Sequence, residues 1–183
     1  MRKNKAMWKK FKAFFKQLLP KQAIPYIDEL KTKQAHYQFR EVMVSDIKEL
    51  LQLEKIVYAG ETPWTKSAFL LEFYSKQPHL YLICECENHL VGFAGIRLFG
   101  GDGHITNIAV HPDHQNQGIG KWFLEELIRH AKASGCDTVS LEVRVSNLDA
   151  QRLYRRLGFE AQKIKPNYYQ EIAEDGVDML KRL

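Results

Sequence analysis

The chain has 183 residues, 45% apolar and 27% charged, which suits one soluble globular domain with a full core. Its three cysteines, Cys84, Cys86 and Cys136, make neither a disulfide framework nor a Cys-x-x-Cys zinc pattern, so a reduced, cytoplasmic protein is expected. The net charge of +5 is uneven: residues 1–40 hold eleven Lys/Arg against Asp28 and Glu29, a net of +9, and the remainder of the chain carries −4.

The first segment, "MRKNKAMWKKFKAFFKQLLP", predicts a basic amphipathic helix over 5–19. Trp8, Phe11, Phe14, Phe15, Leu18 and Leu19 share one face, Lys9, Lys10, Lys12 and Lys16 lie largely elsewhere, and Pro20 ends it. Lysines interrupt its apolar part and no small-residue cleavage site follows, so it is not a signal peptide. No stretch reaches the roughly twenty apolar residues of a membrane span. Residues 1–36 therefore read as a basic extension and connector, and residues 37–183 as the domain.

Within that domain "YQFREVM" alternates as a strand, and Ser45 or Asp46 can cap a helix running to Tyr58. After the break "GETPW", Thr65 opens a second helix to Lys76. "HLYLICECE" and "LVGFAGIRLF" read as a hairpin around Asn88 and His89, and "GGDG" turns the chain into "HITNIAV". A helix follows with Ile119, Phe123, Leu124, Leu127, Ile128 and Ala131 on one side and Gly135 at its end. "TVSLEVRV" is a strand, "NLDAQRLYRRLG" a short helix, and "FEAQKI" and "GVDMLKRL" closing strands. The order β-α-α-β-β-β-α-β-α-β-β predicts an α+β fold, an antiparallel first half meeting a βαβ crossover.

"HPDHQNQGIGKWFL" leads a glycine-bearing loop into a helix start, where unpaired N–H groups and the dipole favour an anion. It is not a P-loop, because Trp122 follows Lys121, nor a dinucleotide fingerprint, because position 123 is Phe. By itself the loop is equally well read as a turn shaped by its glycines. His111 and His114 have the spacing of helical metal ligands, but Pro112 keeps them in a loop. Cys84 and Cys86 read as small hydrophobes on one strand face, with no base to make either a nucleophile.

Taken with "LEVRVSNLDAQRLYRRLGF", "NYYQ" and "EDGVDM", the string "NIAVHPDHQNQGIGKWFLEELI" resembles the GNAT acyltransferase superfamily. Within it, the match is to the RimI type of ribosomal-protein-alanine N-acetyltransferase, over roughly residues 37–183. The resemblance implies a mixed sheet whose two central parallel strands splay apart around acetyl-CoA, with no metal. It implies that Ile108, Ala109 and Val110 offer backbone groups to the thioester and pantetheine arm. Asn116, Gln117, Gly118, Ile119, Gly120 and Lys121 would hold the pyrophosphate, and Asn147 would lie against the pantetheine.

The resemblance also assigns the chemistry. Glu142 is the expected base; alternation puts Val139, Leu141, Val143 and Val145 on one strand face and Ser140, Glu142 and Arg144 on the other. Tyr154 is the expected acid for the leaving thiolate. Ala150, Leu153, Tyr154 and Leu157 also form an apolar helix face, so a core role stands beside the catalytic one. Ser146 and Asp149 read as a capping pair. Trp64 in "TPWT", Asn167, Tyr168 and Tyr169, and Glu174–Asp175 would shape the peptide channel. One departure concerns Lys165–Pro166, where relatives commonly carry two basic residues.

The implied substrate is the N-terminal alanine of the eighteenth small-subunit ribosomal protein. A lysine or small-amine acetyltransferase, and a non-enzymatic coenzyme A-binding module on ribosome or membrane, are the alternatives. Three readings stand for the basic helix: docking on ribosomal RNA or another acidic surface, a membrane surface, or packing on its own domain or a second copy.

Overall fold

The computed structural model describes residues 28–58, 60 and 62–183; the basic helix expected at 5–19 lies outside the described residues. The described chain runs β1 (Asp28–Lys31), β2 (His36–Glu41), α1 (Ile47–Val57), α2 (Lys66–Phe73), β3 (His79–Cys86), β4 (His89–Phe99) and β5 (Asp102–Val110). It continues through α3 (Ile119–Ala133), β6 (Thr138–Arg144), α4 (Leu148–Arg156), β7 (Glu160–Tyr169) and β8 (Glu174–Arg182). Among these residues no helix is long and apolar enough to cross a membrane.

The strands form one eight-stranded sheet in the order β1-β2-β3-β4-β5-β6-β8-β7. Every pairing is antiparallel except β5 with β6, joined by the α3 crossover. The sheet thus begins at Asp28, inside the stretch expected to be a connector. β1 is held there by backbone pairing with β2 and by Trp122, whose indole N–H donates to Asp28 at 3.1 Å.

Alternation in β3 and β4 splits the core in two. Leu82, Cys84, Ala94 and Ile96 face α3, whose Ile119, Phe123, Leu124, Leu127 and Ala131 are all buried. Ile83 and Phe93 face the opposite side, beneath Leu50 and Leu53 of α1 and Phe69 of α2. Each such side chain contributes about 1.5–3 kcal/mol by leaving water. Cys84 and Cys86 are buried on the α3 face, and burial raises the pKa of both thiols.

Local signals set several element ends. Thr65 caps α2, its hydroxyl accepting from the Ala68 N–H at 3.1 Å, but the helix stops at Phe73, three residues before Lys76. The hairpin turns on Glu87 and Asn88, both at positive φ, rather than on Asn88 and His89. Gly100 and Gly101, also at positive φ, make the next tight turn. Asp46 accepts from the Met43 N–H at 2.7 Å and takes a two-pronged bond from Arg40, which also grips Glu85. This network ties β2 and β3 to the start of α1.

Candidate active site

The sheet opens between its two parallel strands. β5 and β6 pair only where Asp102, Gly103 and His104 meet Thr138, Val139 and Ser140; beyond that point they have no common ladder. On the opened part of β5 the Asn107 amide is buried with neither its nitrogen nor its oxygen hydrogen-bonded. Such a group costs free energy unless a ligand or water meets it.

A cleft of about 550 Å³ lies on the α3 side of this opening. Ile108, Ala109 and Val110 line one wall, Asn116, Gly118, Ile119, Gly120 and Lys121 the mouth, and Asn147 and Tyr154 the other wall. Gln117 is outside the lining. The loop presents a positive concavity: Asn116 and Gly118 have φ of 60° and 91°, and Gly118 caps α3, whose first N–H groups point outward. Lys121, Arg152 and Arg156 add cationic side chains, so the residues present fit a phosphate-bearing, elongated ligand. His114, Gln115, Arg152 and Arg156 line the same cleft; they lie within the two long motifs but carried no expected cofactor role, and Tyr58, which also lines it, lies outside both.

Asn147, not Ser146, caps α4: its side chain accepts from the Ala150 N–H at 3.1 Å. Ser146 instead gives its backbone N–H to Glu174 at 2.8 Å. Tyr154 is both core and cleft, only 5% exposed yet on the lining. Burial first, then Tyr58 and Tyr169, push its hydroxyl above the ordinary phenol value, so it keeps its proton.

Glu142 lies across the opening, on the sheet face away from α3, because Val139, Leu141 and Val143 take the buried side of β6. Burial acts to raise its pKa. Hydrogen bonds and charge from His104 and Lys165 outweigh that and hold the carboxyl at about 2. Lys165 bonds to Glu142 directly, lies 3.6 Å from Asp178, and stands over the Tyr168 ring. Glu142 does not line the cleft itself. The Arg144 guanidinium bridges the two regions, stacked on Tyr58 at 5.6 Å and Tyr169 at 5.5 Å.

The expected channel residues take different places. β7 runs as a strand through "KPNYY", where three residues, 166–168, face Asp175 across a bulge. A proline is tolerated there because β7 is the edge of the sheet. Asn167, at φ 49°, donates its N–H to Asp175 at 2.7 Å; Tyr168 is exposed and Tyr169 turns toward Arg144. Glu174 and Asp175 are thereby tied to backbone. Trp64 packs on Phe69 and Tyr81, and its backbone N–H donates to the buried Glu54 at 3.2 Å. His111 caps a single 3-10 turn at Pro112–His114, and among the described residues no cluster of His, Cys, Asp or Glu could hold a metal.

Comparison with known proteins agrees with this architecture. The model of the acetyltransferase (GNAT) family matches residues 44–159. A Bacillus subtilis protein provisionally named as a ribosomal protein bS18-alanine N-acetyltransferase is 35% identical, over 82% of this chain and 96% of its own. The ribosomal protein bS18-alanine N-acetyltransferase of Escherichia coli is also 35% identical, over 68% and 82%. A crystal structure of the Escherichia coli ribosomal-protein-S18-alanine N-acetyltransferase superposes with a TM-score of 0.70 at 30% identity, covering 80% of this chain and 93% of that one. With its splayed parallel pair, the helix start at its cleft and these matches, the chain belongs to the GNAT family of acetyl-CoA-dependent N-acetyltransferases.

Proposed function

We propose that this enzyme transfers the acetyl group of acetyl-CoA to the α-amino group of an N-terminal alanine, that of ribosomal protein bS18, in the cytoplasm. The observation that carries the reading is the opening between β5 and β6, with a cationic cleft on one side and a carboxylate on the other. The relatives named for this substrate support the choice of amine.

Acetyl-CoA supplies the activated acetyl group, and the chain's own residues do the rest. Backbone groups of Asn116, Gly118 and the first turn of α3 hold the pyrophosphate, with Lys121, Arg152 and Arg156 nearby. Ile108, Ala109 and Val110 pair with β4 on one side, and the Val110 carbonyl accepts from Gln115. Toward the opening they have no partner strand, and the backbone groups on that side are the ones offered to the pantetheine. Glu142 takes a proton from the incoming ammonium, so that the free amine can attack the thioester carbonyl. Tyr154, protonated and packed by its ring, returns a proton to the leaving thiolate.

That Glu142 is suited to an ammonium is visible in Lys165, whose own primary ammonium sits against the carboxylate above Tyr168. The substrate amine has the same chemistry and displaces it. No covalent enzyme intermediate is needed, because holding both reactants in register supplies much of the rate.

The test is a panel of peptides beginning with Ala, Ser or Met, and one with an internal Lys, each offered with acetyl-CoA. Preferred turnover of the Ala peptide is expected. Turnover of the internal Lys alone would reassign the substrate, and no turnover on any amine would refute the enzyme reading.

A further inference from the structure

We propose that His104 is a positioning residue for Glu142 and the outlet for the proton that Glu142 removes from the substrate. The inference rests on the role of Glu142 proposed above. His104 stands where β5 and β6 part, at the last of their shared pairs. Its Nε2 is 3.3 Å from Glu142 Oε2 and its Nδ1 is 2.9 Å from Ser140 Oγ. Ser140 in turn donates its hydroxyl hydrogen to Asp102 Oδ2 at 2.5 Å, and Thr138 donates to Asp102 Oδ1 at 2.6 Å.

This network determines which imidazole nitrogen carries the hydrogen. A serine hydroxyl has one hydrogen, and Ser140 gives it to Asp102, so toward His104 its oxygen can only accept. Nδ1 is therefore a donor in either charge state. As an imidazolium the ring also donates from Nε2 to Glu142, the contact that lowers the carboxyl's pKa. Once that proton has left to water, the Nε2 lone pair faces Glu142. When Glu142 takes a proton from the substrate ammonium, that lone pair is in line to receive it. The products are a free amine, a regenerated carboxylate and an imidazolium whose charge is balanced by Glu142 and, through Ser140, by Asp102. The His104 side chain is 37% exposed, against 11% for Glu142, so the proton leaves for water from the histidine.

A carboxylate held in an ion pair is a weak base, and a histidine behind it supplies a second proton acceptor. The other charges on this face are accounted for. Arg97, the cross-strand neighbour of His104 on β4, is paired with Glu72 of α2, which also accepts from Tyr81 of β3. From the far side, Asp178 of β8 and Lys163, Lys165 and Tyr168 of β7 face Glu142 or one another. Protonation of His104 thus reads out against Asp102 and Glu142, its direct neighbours.

The experiment measures acetylation of an Ala-starting peptide by wild type, His104→Gln, His104→Ala and Ser140→Ala from about pH 5.5 to 9. His104→Gln is expected to lower kcat about ten- to a hundredfold, with KM for both substrates little changed. The acid limb of its kcat profile should move to lower pH, and added imidazole should restore His104→Ala but not accelerate wild type. Ser140→Ala keeps the ring and removes its Nδ1 partner; a smaller shift of the same limb is expected, and this variant decides the matter if His104→Gln does not fold. A wild-type profile in His104→Gln, or lost activity with an unmoved limb and no imidazole rescue, overturns the role of His104 alone. An inert wild type overturns the acetyltransferase reading, and this inference with it.

Discussion

Glu54 offers a test of the physical reasoning that does not depend on substrate. It lies on α1, 1% exposed, and its carboxyl accepts only the Trp64 backbone N–H at 3.2 Å among its described hydrogen bonds. Burial raises its pKa from 4.5 to about 7, and the bond from Trp64 offsets only part of that. Because the folded value is raised, its stability contribution is fully present below the unfolded value of 4.5 and is lost as pH rises through about 7. Above that, the folded protein holds a buried carboxylate at a cost of about 3 kcal/mol. Glu54→Gln keeps an acceptor for Trp64 and removes the charge, at the expense of an added amide N–H₂ that needs a partner. For a chain of this size each kcal/mol is about 2–4 °C in Tm. Melting of both proteins from about pH 5 to 9 should therefore show a gap near zero or slightly negative at the acid end. It should widen to about 5–10 °C in favour of the variant at the alkaline end. A gap that stays constant across pH would refute the idea that Glu54 is a desolvated, poorly compensated acid.

Further outcomes follow from the site. Glu142→Gln should lower kcat by about 10²–10⁴ while leaving acetyl-CoA affinity nearly unchanged, since Glu142 lies outside the cleft; a large affinity loss in calorimetry would contradict its role as base. The pKa of Glu142 is depressed, so its ion pairs stabilise the fold above about 4.5 and fail as pH falls toward 2, and acid unfolding should begin at higher pH in the variant. In the opening loop, Gly118 has φ 91°, a conformation that costs other residues about 1–2 kcal/mol. A hundredfold excess of acetyl-CoA over its Kd should stabilise wild type by about 2.7 kcal/mol, read as a rise in Tm. Gly118→Ala should blunt that rise, whereas an undiminished rise would show that the loop's shape is not needed for the cofactor.

The parts of this fold legible in the sequence are those governed by local periodicity. Val139, Leu141 and Val143 alternate with Ser140 and Glu142 and bury as expected, and the apolar stripe of α3 lies on the sheet as its spacing requires. Thr65 caps its helix because a hydroxyl can reach back within three residues, a contact that short-range sequence encodes. The cap of α4 is misassigned by sequence because Ser146 and Asn147 are both good caps. Long-range pairing of the Ser146 N–H with Glu174 decides between them. Likewise β1 is invisible in a polar stretch, since its only strong signal is its pairing with β2.

The sequence by itself determined which faces of strand and helix would be buried, and through its family resemblance it offered candidates for holding a pyrophosphate and for taking up a proton. Its motifs each lie within one loop or one element, where spacing sets direction. Only the tertiary structure decided that β5 and β6 stop pairing at His104, which opens the cleft and leaves the buried Asn107 amide without a hydrogen-bond partner. It alone decided that Lys165 covers Glu142 and that Ser140, His104 and Asp102 join behind it. Those groups are brought together by the register of β5, β6, β7 and β8, and register is a property of strands meeting, which the period of any one strand leaves open.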